Sequence, residues 1–209
     1  MGRKEIKITR RFISETLQLL KVFGTVRYES FLLYLCLYFG IGKETSEDLT
    51  EKFLQARIIT KAKYADTHII KVDKKERASS DKLDAFDVYL AVMKEEKEKG
   101  AENEVAAVRM DLPEDFIFYT TTGFMYDMII NDDRGAQKLR LLEKFEKKRK
   151  KGEIILFAYP SRIPSEELKG LKKPVISGRH RLAIVRKSPE TGIATCILTD
   201  IEGKDDRQR

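Results

Sequence analysis

The sequence predicts an α+β chain: an N-terminal helical unit closed by a β-hairpin, a linking helix, and a mixed α+β region that ends in a second hairpin. Three observations carry this. Apolar residues recur at helical spacing over 10–23 and again near 83–93, the pattern turns to mixed helical and β-prone runs from Glu104 onward, and turn-forming clusters separate them. A chain of 209 residues holds one well-cored domain or two small ones.

In Arg10–Phe23 the residues Phe12, Ile13, Leu17, Leu20 and Phe23 mark one helix face, and Gly24 supplies the expected stop. Thr25-Val26 reads as a short strand able to pair with the hairpin that follows. The run Phe31–Phe39 is apolar all round, which suits a buried helix or a buried strand. Glu29-Ser30 ahead of it and its lack of β-branched residues favour a helix over Tyr28–Phe39. After the turn Gly40-Ile41-Gly42-Lys43-Glu44-Thr45, Ser46 is the expected N-cap of a helix over Ser46–Ile58. Glu47 and Asp48 favour its dipole, and Leu49, Phe53, Leu54 and Ala56 are expected to face inward. Ile58–Lys61 and His68–Val72 read as strands around the tip Lys63-Tyr64-Ala65-Asp66.

This order of elements resembles the winged helix-turn-helix proteins found among archaeal regulators and plasmid or viral proteins. The resemblance covers residues 1–77 and rests on element order and apolar spacing. It implies double-stranded DNA binding, with the last helix in the major groove and the wing on the phosphates. One departure bears on mechanism. The presumed recognition helix offers Glu47, Asp48, Glu51, Lys52 and Gln55, with Glu44 just before it, and phosphate repels acids. The expected contacts are therefore Arg3, Lys4, Lys7, Arg10 and Arg11 on the arm and first helix, and Lys61, Lys63, Lys71, Lys74, Lys75 and Arg77 on the wing. Only Lys52, Gln55 and Thr50 are expected near bases.

Lys74–Ser80 reads as a charged connector. Ser80 is the expected cap of a helix running to about Lys99 within a linking segment, residues 78–103. Leu83, Phe86, Leu90 and Met93 lie at heptad-like spacing, suited to packing on the second domain or to pairing with a twin in a homodimer. Residues 104–203 form the expected α+β domain of open role. Its strands are Val105–Met110, Phe116–Tyr119 and Glu153–Tyr159, and its helices Thr122–Ile130 and Arg134–Lys151. A single helical turn begins at Ser165, and a closing hairpin is formed by Arg181–Lys187 and Ile193–Ile201. Residues 204–209 are expected to be a disordered tail.

Charge is unevenly placed. Residues 1–77 carry a net +6, residues 78–137 a net −8 and residues 138–209 a net +9, within a total of +7. A positive field attracts polyanions without reading sequence. The basic helix with Lys144, Lys147, Lys148 and Lys151 is a second candidate polyanion surface, set against the plain reading of a solvated face.

Catalysis is the weaker expectation, and no cofactor or metal is expected. His68 and His180 are too few and too far apart for a zinc site or a His-based triad. The segment Gly40–Thr45 departs from a phosphate-binding loop at Leu37 and Glu44. Asp111, Glu114, Asp115, Asp127, Asp132 and Asp133 leave a Mg²⁺-dependent nuclease open, although caps and turns explain most of them. Cys36 and Cys196 read as reduced core residues. Only two Asn and four Gln, beside 41 Lys+Arg and 34 Asp+Glu, is the compositional bias of a thermophile and fits an archaeal source. A basic start without an apolar core, and no apolar run of roughly 20 residues, point to a cytoplasmic protein that makes no membrane contact. The sequence thus favours a duplex-DNA binder acting as a transcriptional regulator or a replication or partition accessory. A protein–protein adaptor working through the acidic helix comes next, and a nuclease last.

Overall fold

The computed structural model describes residues 10–99 and the strand segments 106–109, 116–119, 125–130, 153–159, 180–187 and 194–201. Helices and largely antiparallel strands are combined in an α+β arrangement. The elements run α1 (Arg10–Phe23), β1 (Thr25–Arg27), α2 (Tyr28–Phe39), α3 (Lys43–Gln55), β2 (Thr60–Tyr64), β3 (Thr67–Lys71) and α4 (Ser80–Glu98). Six strands follow: β4 (Ala106–Arg109), β5 (Phe116–Tyr119), β6 (Met125–Ile130), β7 (Glu153–Tyr159), β8 (His180–Lys187) and β9 (Ala194–Ile201). No described helix is long and apolar enough to cross a membrane.

Gly24 ends α1 in the left-handed region at φ +76°, a conformation open to glycine at little cost, and its N–H donates to the Leu20 carbonyl at 2.7 Å. That corner sends the chain straight into β1, which joins a three-stranded antiparallel sheet of order β1-β3-β2. Val26 faces Ile70 across one pair, and Lys63 faces His68 across the other. The hairpin turn is tighter than expected: Tyr64 pairs with Thr67, leaving Ala65-Asp66 as the tip, with Ala65 at φ 49°.

Two local expectations about α3 are corrected. The helix starts at Lys43, three residues early, with Gly42 as N-cap and no side-chain cap. Ser46 is not the cap. It is buried inside the first turn, where its hydroxyl donates to the Lys43 carbonyl at 2.7 Å. The acids that follow Ser46 mimic a first turn, but Gly40 and Gly42 let the helix begin sooner. Ala56 does not face inward; it is exposed at the C-cap, while Leu49 and Phe53 are buried. The helix α4 begins at Ser80, capped by Ser79, whose hydroxyl accepts from the Lys82 N–H at 3.3 Å.

The six-stranded sheet has the order β4-β5-β6-β7-β8-β9, with β6–β7 and β7–β8 parallel and the other pairs antiparallel. The expected helix over Thr122–Ile130 is overturned: Met125–Ile130 is β6, hydrogen-bonded between β5 and β7. Tyr126 and Met128 are buried two positions apart, the strand period, and pairing on both edges outweighs the helix preference of the methionines. The expected closing hairpin strands pair as β8 and β9. The expected helix 134–151, the turn at 165 and the tail 204–209 lie outside the described residues.

One hydrophobic core runs from Phe12, Leu20, Phe31 and Phe53 through Phe86 and Tyr89 of α4 to Tyr126, Met128, Ala183 and Val185 of the large sheet. Rings join the helices directly, with Phe23 edge-on to Phe86 at 5.0 Å and Phe12 against Phe39 at 3.6 Å. The α4 stripe Leu83, Phe86, Leu90 and Met93 is buried within this chain. The charged connector is fastened as well: the Lys71 ammonium donates to the Glu76 carbonyl at 2.7 Å, and the Glu76 carboxylate pairs with Lys82.

Candidate nucleic-acid interface

Strand β2 alternates, so Lys61 and Lys63 share its exposed face, with His68 of β3 exposed opposite Lys63. Lys61 lies over the Tyr28 ring with its ammonium 4.0 Å from the centroid, a cation–π contact that orients the side chain while leaving it exposed. Lys74, Lys75 and Arg77 follow on the exposed connector, where the Asp73 carboxylate accepts from the Lys75 N–H at 2.9 Å. Lys71 is only half-exposed, because its ammonium is tied to Glu76.

The neighbouring face of α3 has the opposite sign. Glu44, Asp48 and Glu51 are exposed and Glu47 is partly so, against Lys43 and Lys52. Lys43 is set 3.9 Å from Glu47 in an exposed i,i+4 pair worth a few tenths of a kcal/mol, roughly 0.3–0.5. The acids act on Tyr28 of α2, the ring beneath Lys61. The Tyr28 hydroxyl is raised above the usual tyrosine range, first by burial and then by the charges of Glu51, Glu47 and Glu29. Tyr28 therefore marks the line between an acidic helix face and a basic hairpin.

Of the expected contact residues, Arg10, Lys52, Gln55, Lys61, Lys63, Lys74, Lys75 and Arg77 are exposed. Thr50 is a correction: it is fully buried and its hydroxyl donates to the Ser46 carbonyl at 2.7 Å, so it reaches no base. Arg3, Lys4 and Lys7, the side chain of Arg11, and Lys144, Lys147, Lys148 and Lys151 lie outside the described residues. Three residues that the sequence reading passed over are Tyr28, whose ring carries the Lys61 contact, and two exposed cations, Lys43 at the start of α3 and Arg57, at φ 56° between α3 and β2. The Arg10–Arg57 pattern offers no periodic signal for Arg57, since its position depends on how α3 ends.

Of the six candidate nuclease carboxylates, only Asp127 falls on a described element, β6; the side chains of all six lie outside the described residues. Among the described residues, no group of three or more His, Cys, Asp or Glu side chains is placed to hold a metal ion. Cys36 and Cys196 are free thiols, half-buried and not fully in the core. The Cys196 thiol is pushed up to about 12 by burial and by the nearby charges of Asp87 and Asp84, which leaves it unreactive at neutral pH. The sequence matches no protein-family model and no curated protein.

Proposed function

We propose that residues 10–73 are a winged helix and that the chain binds double-stranded DNA, as a transcriptional regulator or a replication or partition accessory. The observation that carries this reading is the element order α1-β1-α2-α3-β2-β3 with the sheet order β1-β3-β2, which leaves Lys61 and Lys63 on the open face of a hairpin beside α3. Such a hairpin suits the phosphate backbone, where lysine acts as a point charge. The acids of α3 disfavour its deep entry into a groove, so base reading is confined to Lys52 and Gln55.

Fluorescence anisotropy against duplex DNA, from low to high salt, tests the reading. Binding is expected to weaken linearly on a log–log plot, with a slope near 0.9 per phosphate contacted. Lys63→Ala is expected to flatten that slope by about one contact, and Gln55→Ala to leave it unchanged. Absence of duplex binding at low salt sinks the proposal. The second reading, a protein adaptor, is favoured by the exposed Glu44, Asp48 and Glu51. It predicts a basic partner whose binding is lost on Glu51→Lys and untouched by Lys63→Ala.

A further inference from the structure

A cleft of about 370 Å³ opens between α2, α4 and β9. Along α4 it follows one stripe, Asp87, Ala91, Lys94 and Glu98, at intervals of three and four residues, so it is elongated by roughly 16 Å of helix rise. Leu33 of α2, Leu90 of α4 and Leu198 of β9 give it apolar walls. Leu33 is 45% exposed, although it belongs to the most apolar helix of the chain. Lys94 and Glu98, an exposed pair 4.0 Å apart, stand at the outer end.

The inner end is polar and deep. Asp87 and Ser30 both line the cleft, yet each is more than nine-tenths buried. The Asp87 carboxylate accepts from the Ser30 hydroxyl with one oxygen and from Arg27 with the other. Arg27 also donates to Asp84, so one guanidinium serves two carboxylates. An ionised carboxyl has about four lone-pair positions, and two on Asp87 are used by these contacts. An apolar cleft of this size, with a few converging polar groups at its end, is the usual form of a small-molecule site.

We infer that the cleft binds a small molecule with an ammonium head and an apolar body, the head at Asp87 and the body between Leu33, Leu90 and Leu198. Charge decides the class of ligand. The Asp87 carboxyl is raised to about 6, burial and the neighbouring Asp84 outweighing Arg27 and Ser30, and Cys196 in the same cleft is raised by burial and the same two carboxylates. The cleft is lined by the carboxyls of Asp87, Glu95 and Glu98 against the single ammonium of Lys94, and Asp87 shares its one guanidinium with Asp84, so the lining carries an excess of negative charge. An ammonium relieves it, a neutral head gains only burial of its body, and a carboxylate is repelled. This inference is independent of DNA binding.

Three probes with one body and three heads test it on the full chain near neutral pH: hexylammonium, hexanol and hexanoate, titrated by calorimetry at constant ionic strength. Hexylammonium is expected to bind at least about tenfold more tightly than hexanol, with hexanoate weakest. Ala91→Phe, at a half-exposed helix position lining the cleft, is expected to abolish binding while circular dichroism stays that of the parent. Leu33→Ala, at an exposed site, is expected to weaken hexylammonium and hexanol alike and keep their order. No binding by hexylammonium, equal binding of the three heads, or binding that survives Ala91→Phe in a folded variant overturns the assignment.

Discussion

The two ends of α4 solve the same problem in different ways. At its N-terminal end Asp84 and Asp87 are buried and share Arg27 of β1. At its C-terminal end Glu95 meets Arg181 of β8 through two hydrogen bonds, 2.6 and 3.0 Å, while Glu96 accepts from the Tyr126 hydroxyl of β6 at 2.9 Å and pairs with Lys99 at 3.2 Å. Burial raises a carboxyl at both ends. At Asp87 it prevails. At Glu95 burial is outweighed by Arg181 and Lys99, and the group sits below the usual carboxylate range. The ratio of cations to carboxylates, together with access to water, sets which way each group moves. The helix is thereby clamped to the small sheet by a buried cluster in which one cation serves two carboxylates, and to the large sheet by a more open cluster in which Arg181, Lys99 and the Tyr126 hydroxyl serve two.

Breaking the buried cluster is expected to have the largest effect. Arg27→Leu leaves Asp84 and Asp87 facing each other without the guanidinium and should cost about 3–5 kcal/mol in urea unfolding. A result under 1 kcal/mol would show that the cluster relaxes or takes up protons freely.

Next comes the pH dependence of Asp87. Its folded-state value, about 6, lies above its ordinary 3.8, so the folded chain takes up a proton first as pH falls. The contribution of Asp87 to stability is fully present below pH 3.8 and is lost as pH rises through about 6. Between about pH 4 and pH 7 the stability difference between the parent and Asp87→Asn is expected to change by about 2 kcal/mol, in favour of the parent at the acid end. Paired urea titrations across that window give the measurement, and a flat difference contradicts it.

The more open end is expected to respond less. Arg181→Met removes both hydrogen bonds to a half-exposed Glu95 and should cost about 1–2 kcal/mol. It should also let the Glu95 carboxyl rise, which carboxyl-resolved NMR titration would detect. Tyr126→Phe is the mildest change. It removes one bond to Glu96, which keeps Lys99, and is expected to cost about 1 kcal/mol in thermal or urea unfolding. A loss larger than that of Arg27→Leu would invert the comparison between the two ends.

Much of the N-terminal unit is legible in the sequence. The bounds of α1, α2, β5 and β7 follow from apolar periodicity and from stops such as Gly24, because those signals act within a few residues. The exposed hairpin lysines were legible for the same reason, since strand alternation places Lys61 and Lys63 together. The α4 cluster also left a trace that was not read. Asp84 and Asp87, three residues apart among Leu83, Phe86, Val88 and Leu90, put two acids on a face that apolar neighbours bury, and buried acids need a cation. Nothing local names Arg27 as that cation, for it lies 57 residues before Asp84 and 60 before Asp87.

By itself, then, the sequence determined the helical and strand character of the N-terminal unit, the basic hairpin and the opposing acidity of α3. Each depends on spacing and residue type over one or two turns. Only the tertiary structure decided that Met125–Ile130 is a strand, that Ser46 and Thr50 are buried, and that Arg27, Ser30 and Asp87 meet beside a cleft. Those outcomes depend on which distant segment supplies a hydrogen-bonding edge, a covering surface or a countercharge, and no local pattern encodes that choice.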